Sequence, residues 1–125
     1  MSQGRIFTDL SASIAASESL SAAVDLDPGP KKGLRLCGFE IPSTWTAANV
    51  TLQVSKDGTT WLDVFDRNGE VVFTVDVATA SNGNYVAVPP SIAAAFSFVK
   101  IRSGTGETPV AQSGAKEIVL HRRVL

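Results

Sequence analysis

An all-β fold, an antiparallel and jelly-roll-like β-sandwich, is what this 125-residue sequence predicts, and three observations predict it. Val50, Leu52 and Val54 alternate with Thr51, Gln53 and Ser55, a period of two that puts the aliphatic side chains on one face of a strand. Lys56-Asp57-Gly58-Thr59 follows, and Asp-Gly accepts the positive backbone angles that a tight hairpin turn requires. Trp61, Leu62, Val64 and Phe65 then open a returning strand. A second turn signal, Asp66-Arg67-Asn68-Gly69-Glu70, precedes an apolar run over residues 71–77, so two hairpins succeed one another as an antiparallel meander.

From the N-terminus, residues 1–18 are rich in Ser and Ala, with Phe7, Leu10 and Ile14 as scattered apolar anchors. Apolar content this sparse fits either an edge strand or an extended arm whose partner is another molecule. The sandwich domain is expected over residues 19–125. Residues 19–26 read as a short strand, residues 27–33 as a loop by their Pro and Gly content, and residues 34–41 as the next strand, bounded by Pro42. Residues 43–49 make a connecting turn across one end of the sandwich, and Trp45 within them is the aromatic expected to be exposed. Trp61, opening the returning strand, is expected in the core. Residues 78–83 form a polar loop, and residues 84–88 a strand stopped by Pro89-Pro90. Residues 91–96 make a single helical turn capped by Ser91. In residues 97–102, Val99 and Ile101 alternate against Phe98, Lys100 and Arg102; residues 103–115 are a long Gly- and Pro-bearing loop, and residues 117–125 the last strand. Roughly eight or nine short strands at regular spacing are the pattern of a sandwich or jelly roll.

A chain of this length is one domain, and folding buries roughly two thirds of its unfolded surface, enough for a core without staples. Aromatic residues make up only 7% of it, so the core is expected to be thin and built from strands. Eleven basic and twelve acidic residues give a formal charge of -1, with no basic excess to neutralise a phosphate backbone, which argues against a nucleic-acid partner. The charges are unevenly placed. Asp57, Asp63, Asp66, Glu70 and Asp76 crowd the centre, while Lys100, Arg102, Lys116, Arg122 and Arg123 weight the C-terminal part, a polarity able to orient neighbouring copies. Cys37 is the sole cysteine and sits among apolar neighbours as a small hydrophobe. No signal peptide is visible, and the apolar stretch 92–101 is too short to span a bilayer, so the chain reads as made in the cytoplasm, soluble and without a membrane partner.

No catalytic, metal or cofactor site can be assembled from the residues. His121 is the only histidine and Cys37 the only thiol, too few for a triad or a zinc site. Asp66, Asn68, Gly69 and Glu70 bear a faint likeness to a calcium loop without its full complement of oxygen ligands, and Asp25 and Asp27 are better read as turn residues. Gly104-Thr105-Gly106 lacks the Lys-Ser/Thr pair and the helix of a phosphate cradle. The chain is therefore expected not to be an enzyme.

Three stretches, SLSAAVDL, STWTAANVTLQVSKDGTTWLDVFD and FVKIRSGTGETPVAQSGAKEIVL, taken in order and spacing, resemble small β-sandwich proteins encoded among the virion genes of tailed bacteriophages and prophages. VSKDGTTW followed by FVKIRSG is also similar to the strand pattern of discoidin-like and carbohydrate-binding sandwiches, whose ligand-loop residues have no matching set here. The phage resemblance implies a virion structural protein, foremost a decoration or cement protein that binds the outer surface of the capsid and stabilises the shell. A head fibre, a neck component or a glycan-binding module is the alternative. It further implies as partners the major capsid protein or copies of the chain itself, possibly as a trimer, with Phe7, Leu10, Ile14 and Trp45 as the expected contact residues.

Overall fold

Alternation at residues 50–54 yields strand β4 (Val50–Ser55), and its Val50 and Leu52 are buried, as the period of two requires. The same logic builds β3 (Leu34–Ile41), β9 (Phe98–Ser103) and β10 (Lys116–Val124). The structure, a computed structural model, describes residues 5–30, 33–79 and 81–124. Within them the other elements are β1 (Phe7–Ile14), β2 (Val24–Asp25), β5 (Leu62–Asp63), β6 (Phe65–Asp66), β7 (Gly69–Glu70), β8 (Asn84–Ala87) and the short helix α1 (Pro90–Ala93). That helix is far too short to cross a membrane, and no described helix is long and apolar enough to do so.

Two four-stranded antiparallel sheets form, in the orders β1-β10-β3-β8 and β2-β9-β4-β5, and β6 with β7 makes a separate two-stranded ribbon. The protein is an all-β sandwich. The chain changes sheets at almost every passage: β1, β3, β8 and β10 belong to the first, β2, β4, β5 and β9 to the second. Ile14, Leu36, Phe39, Ile41, Ile118 and Leu120 of the first sheet pack with Val50, Leu52, Val99 and Ile101 of the second in one buried cluster. Phe39 meets Phe73 edge to face at 5.8 Å, the geometry that ring quadrupoles favour.

Residues 7–14 of the N-terminal segment are strand β1, at the outer edge of the first sheet, with Ala12 and Ile14 fully buried. Two bulges face His121. Phe7 pairs with Arg122 and Leu10 with Leu120, so Thr8 and Asp9 together oppose His121; on the other side of β10, Leu36 pairs with Arg122 and Gly38 with His121, leaving Cys37 as the extra residue.

Four expectations are corrected. The Asp-Gly turn is part of a longer loop, because Ser55 Oγ accepts the Asp57 and Gly58 amides and Asp57 Oδ1 accepts those of Thr59 and Thr60, which delays pairing until Leu62. Residues 71–77 are not a strand: only Phe73 pairs, exchanging both backbone hydrogen bonds with Val50, so the meander ends at the ribbon. Trp61 lies outside the core, half-buried under Lys100, whose Nζ is 4.5 Å from the ring centroid. Ser91 does not cap the helical turn, since the cap position is Pro89 and no side chain bonds there.

Candidate functional site

Leu62 on the outermost strand of the second sheet and Phe65 on the adjoining ribbon are the most exposed large apolar residues of the described chain. β5 has two residues, paired as Asp63 with Gln53 and Leu62 with Val54, and its other edge is not paired within the sheet. The β6–β7 ribbon then folds back toward the outer face of that sheet, held by Arg102. This guanidinium is buried. Its Nε donates to Thr51 Oγ1 at 2.9 Å, and its Nη2 reaches Glu70 Oε2 at 2.5 Å and Asp63 Oδ1 at 3.1 Å. Glu70 also accepts the Gly106 amide at 3.0 Å, which ties the 104–115 loop to the ribbon. With the backbone fixed from beneath, Leu62 is left 62% exposed, Phe65 66% and Val72 41%.

Depressions flank this ridge on both sides. One, of about 390 Å³, is mainly apolar, lined by Val54, Leu62, Val64, Phe65, Ile92 and Phe96, with Lys56 and Asp63 also on its wall. The other, of about 370 Å³, has Phe65 and Val72 on its wall but Asp63, Glu70 and Glu107 around it. Arg102 serves two of those three carboxylates, so negative charge is in excess there. The arrangement suits an apolar side chain carried next to a cation.

The residues singled out from sequence lie elsewhere and do not form one exposed surface. Ile14 and Trp45 are buried in the chain's own core, the Trp45 indole N–H donating to Ala48 O at 3.0 Å, and Leu10 packs against that core. Phe7 is half-buried, with the guanidinium carbons of Arg5 and Arg122 at 5.2 and 5.8 Å from its ring centre. Arg122 is itself buried, donates to Leu26 O at 2.6 Å and ion-pairs with Asp9, which fastens β1 to β10.

His121, without a partner in the sequence reading, has Glu40 at 2.6 Å and the Tyr85 ring edge-on at 4.9 Å. Tyr85 lies across Gly38 so closely that a Cβ there would fall 2.0 Å from its hydroxyl. Burial pushes both the Tyr85 phenol and the neighbouring Cys37 thiol above their ordinary pKa values. The Gly104-Thr105-Gly106 amides are all spent internally, on Asn49 O, Thr108 O and Glu70, and so present no cradle. Asp66 Oδ1 caps its own turn by accepting the Asn68 amide, while Glu70 turns away to Arg102. Among the described residues no group of three His, Cys, Asp or Glu side chains is placed to hold a metal.

Sequence reasoning missed Arg102 and Gln112 as organisers. Gln112 is fully buried; it accepts the Thr46 amide at 2.7 Å and donates to Thr46 O and Ser103 Oγ, so the long loop is locked to the Trp45 turn. A polar residue inside a Gly-rich loop gives no periodic signal that would mark it. Comparison with protein-family models, with curated proteins and with solved structures gives no match for this chain.

Proposed function

We propose that this chain is a non-enzymatic virion structural protein of the capsid-decoration type, which joins an assembled protein shell by docking the Leu62–Phe65–Val72 ridge against neighbouring subunits. The ridge is the observation that carries the reading: Leu62 on an outer strand, Phe65 on the ribbon and Val72 just after it are exposed large apolar side chains, Leu62 and Phe65 sharing one depression and Phe65 and Val72 the other. Contiguous exposed apolar surface of this kind marks interaction sites, and an unpaired strand edge adds backbone groups able to extend a partner's sheet. Many symmetric copies turn a modest contact into stable attachment. The phage resemblance of the sequence supplies the setting. Counting copies of the chain in purified particles by quantitative mass spectrometry tests it: tens to hundreds of copies per particle are expected, and absence from particles would reject the assignment.

A glycan-binding reading has its own observation. Tyr85 is 55% exposed beside a depression of about 240 Å³ lined by Glu40, Asn82 and Asn84, an aromatic face with polar groups around it. Binding to a glycan array that Tyr85→Ala abolishes would favour this reading, and an array without signal would dismiss it.

A further inference from the structure

The far end of the first sheet carries the complement of the ridge. Arg123 on β10 stands directly opposite Arg35 on β3, and like charges so paired across strands repel. Among the described residues no carboxylate forms an ion pair with Arg123. Arg123 and Arg35 point away from the core, whereas Val124, paired with the buried Leu34, points to the other face; Ile6, the residue before Phe7, is an exposed large apolar side chain at the start of β1. Arg5, also exposed, adds a further positive charge at the start of this strand. The corner is thus apolar and cationic, whereas the ridge is apolar with an anionic flank formed by Asp63, Glu70 and Glu107.

We infer that the ridge of one molecule docks on the Arg123 corner of a second copy of this chain, in a head-to-tail contact. A two-fold contact of ridge on ridge would bring the excess carboxylates of both copies together, and corner on corner would do the same with the arginines; only the unlike pairing covers apolar side chains and neutralises charge at once. A contact of this type closes into a ring when its rotation divides the circle and otherwise grows a filament. This inference rests on the ridge being a docking surface and names its occupant.

The test uses two full-length variants, Phe65→Asp on the ridge and Arg123→Glu on the corner, both at exposed positions and both checked for an unchanged melting temperature. Sedimentation velocity at high micromolar concentration should give oligomers for the wild type that weaken as salt is added. Each variant alone should associate at least about tenfold more weakly and remain monomeric. An equimolar mixture of the two should form dimers and nothing larger, because one variant still offers an intact corner and the other an intact ridge. A monomeric wild type, a variant that assembles like the wild type, or a mixture that stays monomeric would overturn the inference. If the wild type is monomeric in solution while Phe65→Asp loses its place on particles, the ridge remains a docking surface and only its occupant is wrong. If Phe65→Asp changes neither association nor particle occupancy, both readings fall.

Discussion

Trp61 and Phe39 separate two roles that a sequence presents alike. Phe39 is fully buried against Phe73, and Phe39→Ala should cost about 3–5 kcal/mol by loss of transfer energy and a residual cavity. Trp61 rests half-buried beneath the Lys100 ammonium, so Trp61→Ala should cost only about 1 kcal/mol, the size of a surface cation–π contact. Urea denaturation of both variants checks the pair, and equal losses would contradict the placement of Trp61. Three aspartates bear on acid stability. Amides of Thr60 and Thr59 hold the Asp57 carboxyl below its ordinary range, as do the Arg122 guanidinium for Asp9 and the Thr79 hydroxyl for Asp76. Their unfolded forms take up protons first as pH falls. Their stabilisation is therefore complete above the ordinary carboxylate value and lost below it, so unfolding free energy should decline between about pH 4 and pH 2. A flat profile there would show that these carboxyls titrate normally.

At the level of elements, the legible strands are those with one face in the core. The alternations in β4 and β9 and the apolar run of β3 specify their own burial, and their bounds follow within a residue or two of the sequence reading. β5, β6 and β7 are not legible in that way. Each has two residues, and their positions depend on the local Ser55 and Asp57 side-chain bonds, which lengthen the turn, and on Arg102, whose contact with Glu70 joins segments far apart in sequence. The candidate ridge is built on those elements, which is why Leu62 and Phe65 read from sequence as ordinary strand residues. The N-terminal segment leaves edge strand and arm open in the sequence for a related reason: its apolar anchors are sparse because only one face of the edge strand β1 is covered. Deleting residues 1–18 would strip Ala12 and Ile14 from the core and leave Arg122 without Asp9. The truncated chain should lose cooperative thermal unfolding, and a truncated chain that melts like the full one would show that β1 contributes nothing to the fold.

For the whole molecule, topology and charge act together. A chain that crosses between sheets at nearly every strand gains its contacts from residues far apart in sequence, which makes folding slow and rewards only the completed sandwich. In the completed sandwich Asp63 and Glu70 of the acidic centre meet Glu107 beside the ridge and Arg123 stands opposite Arg35 on the other sheet, while Arg102 and Arg122 are spent on buried ion pairs. The fold class is thus readable from local pattern, whereas the candidate docking surface emerges only when distant segments meet. Occupancy of the double variant Leu62→Asp/Phe65→Asp on assembled particles, measured beside the wild type and at matched melting temperature, tests the docking role most directly. The wild type should saturate the particles while the variant, equally stable, is lost from them; a variant that binds to the same occupancy would contradict the docking role.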